Sequence, residues 1–113
     1  MEIEIGKLPE LQNKKIIDIR PEHEFKRGSI PDSVNIAEED ILERIKDFDK
    51  TDNICLVCAT GNKTEYLAEE LESQGYENIY NLKGGYEAYM KLKLNEFLKE
   101  ESKKDEADKR SRD

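Results

Sequence analysis

The stretch Asn53-Ile54-Cys55-Leu56-Val57-Cys58-Ala59-Thr60-Gly61-Asn62-Lys63-Thr64 decides how the rest of the chain is read. Its first half, Ile54-Cys55-Leu56-Val57, is a short run of bulky apolar residues, the pattern of a strand buried on both faces. The run ends at Cys58. A tight polar loop follows, Ala59-Thr60-Gly61-Asn62-Lys63, and helical spacing begins at Thr64, with Leu67, Ala68 and Leu71 on one face. A cysteine between a buried strand and a helix start lies where loop amides and the free N–H groups of the first turn converge. That field favours thiolate over thiol and lowers the cysteine pKa. Lys63 adds a positive charge to the same loop. The expected product is a nucleophilic Cys58 in an anion-binding cup formed by Ala59, Thr60, Gly61, Asn62, Lys63 and Thr64.

Outward from this loop, strands and helices alternate. Lys15-Ile16-Ile17-Asp18-Ile19, Val34-Asn35-Ile36 and Asn78-Ile79-Tyr80-Asn81-Leu82 read as strands, and Ile3 and Ile5 give a weaker strand signal. Pro21 opens a short helix that Gly28 ends. Residues 38–48 read as one amphipathic helix, with Ile41, Leu42, Ile45 and Phe48 on a single face and acidic residues in the first turn. Gly75 stops the helix after the Cys58 loop. Gly84-Gly85 makes a close turn into a last helix that runs to about residue 101. The alternation predicts an α/β fold with a central, mostly parallel sheet and helices on both faces. Ligands of such sheets sit beyond the carboxyl ends of the strands, which is where Cys58 falls. Asp18 and Arg20 end a strand near the same edge, where an ion pair or cap would fix the neighbouring loop.

Composition narrows the function classes. The chain has 113 residues, enough for one domain with a modest core. Its net charge of −8 disfavours nonspecific nucleic-acid binding and anionic membrane surfaces. No apolar run approaches a membrane span, and Met1-Glu2-Ile3-Glu4 is acidic, so a cytoplasmic location is expected. Residues 1–94 are read as the folded domain and residues 95–113 as a charged helix extension, flexible tail or linker. Cys55 and Cys58 form a Cys-x-x-Cys, but a redox pair opens a helix, whereas here the second cysteine ends a strand. Cys55 is therefore read as core. His23, a solvated helix residue, and two cysteines make no zinc pattern, and no metal is expected.

Four segments, in order, resemble a single-domain rhodanese. Ile16-Ile17-Asp18-Ile19-Arg20-Pro21-Glu22-His23-Glu24-Phe25 is similar to that family's strand with Asp-x-Arg and its following helix. Gly28-Ser29-Ile30-Pro31-Asp32-Ser33-Val34-Asn35-Ile36 resembles the Gly-His-Ile-Pro-Gly-Ala segment, with Ser29 and Asp32 as departures. Cys58-Ala59-Thr60-Gly61-Asn62-Lys63-Thr64 resembles Cys-x-x-Gly-x-Arg/Lys-Ser/Thr, and Asn81-Leu82-Lys83-Gly84-Gly85-Tyr86 resembles the Leu-x-Gly-Gly-aromatic turn, with tyrosine for the common tryptophan. The related cell-cycle phosphatases have one more loop residue and an obligatory arginine, since a phosphoryl group needs a wider cup and a bidentate fork. The short loop and Lys63 both point to sulfur.

The resemblance implies a rhodanese-like three-layer fold and a sulfurtransferase. Cys58 would take a sulfane sulfur from a donor such as thiosulfate, carry it as a persulfide, and pass it to a thiophilic acceptor. Lys63 would draw in an anionic donor, and no cofactor is needed. The alternative is a low-turnover binding or sulfur-relay module that docks to a protein partner.

Overall fold

In the computed structural model, backbone is described for residues 1–111 and side chains for residues 1–103. Five strands, β1 (Glu2–Ile3), β2 (Lys14–Asp18), β3 (Ser33–Asn35), β4 (Asn53–Val57) and β5 (Asn78–Leu82), form one sheet in the order β1-β5-β4-β2-β3. Every pairing is parallel. The strand that leads to Cys58, β4, lies between β5 and β2, and its apolar run is buried from Ile54 to Val57. A parallel sheet needs cover on both faces, and the helices supply it.

Alternate residues of β4 feed two separate cores. Ile54 and Leu56 join Ile17, Ile19 and Ile79 on one face, under Ile41 and Ile45 of the 38–48 segment and Ala68 and Leu71 of α3 (Asn62–Ser73). Cys55 and Val57 join Ile16 and Leu82 on the other, with Leu8, Ile30 and the half-buried Tyr86 and Tyr89 of α4 (Gly85–Ser111). Cys58 belongs to the first core and Cys55 to the second, so the Cys-x-x-Cys pair straddles the sheet and both thiols are free.

The expected single helix over residues 38–48 is instead three short pieces. A 3-10 turn at Glu38–Asp40 precedes one α-turn, Ile41–Arg44, and a second 3-10 turn at Ile45–Asp47. The last turn closes through the Phe48 amide, which donates to the Ile45 carbonyl, and the same carbonyl accepts from the Tyr76 hydroxyl. Ile41 and Ile45 still face the sheet, but Leu42 is 46% exposed and does not share their face. The last helix continues past the expected end near residue 101, through Ser111, with no glycine or proline to interrupt it. Asp32, which stands where the resembling family has glycine, adopts φ +67, a left-handed conformation that aspartate tolerates better than most residues.

Candidate active site

Cys58 follows the last residue of β4, and the chain turns there because Gly61 adopts φ +91 at the N-cap of α3. The turn brings the Gly61 amide to 3.1 Å from Cys58 Sγ. Thr64, one turn into α3, is buried with its hydroxyl 3.4 Å from the same sulfur. Burial alone pushes the Cys58 thiol up. The Thr64 hydroxyl and the amides of Thr64, Gly61 and Thr60 outweigh it, and the thiol lies below its ordinary pKa. The cup is therefore narrower than the sequence predicts. Its amide donors are Thr60, Gly61 and Thr64, while Asn62 and Lys63 are exposed.

The loop is clamped from below by the start of α4. The Tyr86 amide donates to the Cys58 carbonyl at 2.8 Å, and the Glu87 amide donates to the Ala59 carbonyl at 3.1 Å. The first N–H groups of α4, which lack partners within the helix, are thus spent on the Cys58 loop. Only glycine fits at position 85. A Cβ there would lie 2.3 Å from the Cys58 carbonyl oxygen and 2.7 Å from the Gly61 nitrogen.

Asn81, which the sequence offers only as a strand residue ahead of the Gly84-Gly85 turn, also belongs to the site. It is buried on β5, paired in register with Leu56. Its Nδ2 donates to the Gly61 carbonyl at 3.1 Å, and its Oδ1 accepts from the Thr64 hydroxyl. The available signal was a polar residue two positions after Ile79, on the strand face that otherwise enters the core.

Asp18 and Arg20 form a buried ion pair at the end of β2, with Nη2 to Oδ2 at 2.8 Å and Nε in contact with both carboxylate oxygens. Arg20 also donates to the Gly28 carbonyl at 2.7 Å and lies over the Tyr86 ring at 3.8 Å. The pair therefore ties the 20–28 segment to the sheet edge and to α4, and losing either partner would strand a buried charge. Lys63 is exposed, and its ammonium sits 3.1 Å from Glu38 Oε2. Its charge is engaged by that carboxylate, and it is not among the groups that lower the Cys58 thiol.

Cys58, Ala59, Thr60 and Lys63 line a cleft of about 530 Å³ together with Ile19, Arg20, Pro21 and Ala37. Glu22, Glu24, Glu38 and Glu39 complete its wall, so acidic side chains outnumber basic ones at the mouth. Among the described residues, no three His, Cys, Asp or Glu side chains cluster as metal ligands would. Cys55, by contrast, is sealed in the core, and burial pushes its thiol up to about 12 against a smaller opposing pull from Lys14.

The chain is thus a parallel α/β sheet with a buried cysteine held by amide donors at its carboxyl edge. The family model described as Rhodanese-like domain matches residues 4–92, and the chain belongs to that family. Thiosulfate sulfurtransferase GlpE of Pseudomonas syringae pv. syringae is 31% identical over 78 residues, spanning 69% of this chain and 74% of that protein. A crystal structure of a rhodanese-like domain protein from Staphylococcus aureus superposes with a TM-score of 0.69 at 30% identity, covering 79% of this chain and 91% of the other. A rhodanese-related protein from Thermoplasma volcanium gives 0.73 at 27% identity, covering 80% and 91%. No helix among the described residues is long and apolar enough to cross a membrane.

Proposed function

We propose that the protein is a sulfurtransferase that carries sulfane sulfur on Cys58. The thiolate attacks the outer sulfur of a donor such as thiosulfate. A Cys58 Sγ–S bond forms, the donor's S–S bond breaks, and sulfite leaves with the electron pair. An acceptor, cyanide or a thiol, then attacks the terminal sulfur, and Cys58 leaves as thiolate. The observation that carries this reading is the cup itself: a buried sulfur with the Gly61 N–H at 3.1 Å, at the floor of an open cleft. Amide donors there serve both the thiolate and the equally anionic persulfide.

Incubation with thiosulfate and cyanide tests it. Thiocyanate should form, intact mass should gain a single sulfur after thiosulfate alone, and Cys58→Ser should abolish both. No sulfur adduct on the wild type with thiosulfate overturns the reading. A stable adduct with slow thiocyanate release supports the relay alternative, in which a protein partner takes the sulfur.

A further inference from the structure

The hydrogen bonds around Thr64 set a competition. Its hydroxyl has one proton and three acceptors within reach: Cys58 Sγ at 3.4 Å, the Gly61 carbonyl at 3.4 Å, and Asn81 Oδ1, the nearest. Asn81 Oδ1 is an acceptor only, so contact between it and the Thr64 oxygen requires the Thr64 proton. Asn81 cannot reverse its amide to offer Nδ2 instead, because Nδ2 is already held by the Gly61 carbonyl and reversal would set two carbonyl oxygens against each other. The Asn81 orientation is thus dictated by the same glycine that donates to the sulfur.

We propose that Asn81 is a positioning residue that competes with the Cys58 thiolate for the Thr64 proton, so that Thr64 gives the sulfur less support than its hydroxyl could supply without Asn81. While Cys58 is protonated the site holds a directed chain, Cys58 S–H to Thr64 O–H to Asn81 C=O. Thr64 supports the thiolate only when its proton turns away from Asn81, and that turn leaves Oδ1 unserved in a buried site. Asn81 therefore opposes the amide cup and restrains the reactivity of the free thiol. Among the described residues, the charged side chains that line the cleft with Cys58 are Arg20 (itself paired with Asp18), Glu22, Glu24, Glu38, Glu39 and Lys63. None belongs to the Thr64–Asn81 contact, so their influence is common to every variant below.

The inference rests on Cys58 as the reactive thiol, but its test reads that thiol directly and not sulfur transfer. The measurement is the pH midpoint of Cys58 alkylation by iodoacetamide, with the modified cysteine located by peptide mass. In Asn81→Leu the Thr64 proton is released to the sulfur, and the midpoint should fall by roughly 1 pH unit, the scale of one hydrogen bond to a charged group. Thr64→Val in the native background should raise it modestly, since the hydroxyl's remaining support for the thiolate is lost. Asn81→Leu with Thr64→Val should return to the Thr64→Val value, whereas Asn81→Leu with Thr64→Ser, which keeps a hydroxyl, should retain the fall. Asn81→Ala, whose vacated space admits a water to the Gly61 carbonyl, carries the same test if the leucine variant does not fold. A fall of equal size with valine at position 64 overturns the proposal. So does an unchanged or raised midpoint in the folded Asn81 variants.

Discussion

Cys58 and Cys55 are separated by Leu56 and Val57 alone, yet β4 delivers them to opposite faces of the sheet and to opposite chemistries. Iodoacetamide at neutral pH should modify Cys58 and spare Cys55, because the first thiol is lowered by donors and the second is raised by burial. Cys55→Ala should keep most sulfur transfer and cost about 1–2 kcal/mol, the scale of a small core cavity, read by chemical denaturation. Its pH dependence carries a sign. The folded-state pKa of Cys55 is raised from 9.0 to about 12, so its contribution is intact below pH 9 and is lost as pH climbs toward 12. The stability gap between wild type and Cys55→Ala should therefore narrow above pH 9. A gap that stays constant to pH 11 would place Cys55 in a wetter site than the sheet core.

At the scale of elements, the cup is a joint between two helix starts. The start of α3 supplies donors to the sulfur, and the start of α4 holds the loop carbonyls. Gly85→Ala drives a Cβ into the Cys58 carbonyl, at a residue whose φ of +59 already disfavours a side chain. The loop must move, and its amides with it. The expected result is a loss of about 2–3 kcal/mol in stability. The Cys58 alkylation midpoint should shift up toward that of an ordinary thiol. An alanine variant with a native midpoint would show that the cup does not depend on its seat on α4.

Over the whole molecule, electrostatics sets how a donor arrives. Lys63 at a helix start reads in the sequence as a lure for an anion, but Glu38 takes its charge, and Glu22, Glu24 and Glu39 line the same mouth. With a net charge of −8 behind that mouth, thiosulfate meets repulsion. Its kcat/KM should rise as salt is raised from about 20 to 200 mM, since added ions screen the unfavourable field. Alkylation by neutral iodoacetamide should not respond. Glu39→Gln should raise thiosulfate kcat/KM at low salt and flatten the salt profile. A rate that falls with salt would return Lys63 to the role that the sequence suggests. Deleting residues 102–113, whose composition offers little to bury, should leave thermal unfolding and turnover nearly unchanged. A large drop in Tm would move the domain boundary beyond residue 94.

The apolar run of β4, the polar glycine loop and the helical spacing after it determined the α/β class, the parallel sheet and the place of Cys58 at its carboxyl edge. These are local patterns, and burial period and turn chemistry are written residue by residue. Asp18 and Arg20 were legible as a pair because they flank one strand end. Tertiary structure alone decided that Asn81 holds Thr64, that Gly85 seats the Cys58 loop, and that Glu38 claims Lys63. Each of those contacts joins segments far apart in the chain, and no local pattern specifies which distant hydrogen-bond partner will be nearest. The same holds for the 38–48 segment. Its apolar period suits a helix, but the segment folds as short turns, the last of which closes at Phe48 where the Tyr76 hydroxyl meets the Ile45 carbonyl from across the fold.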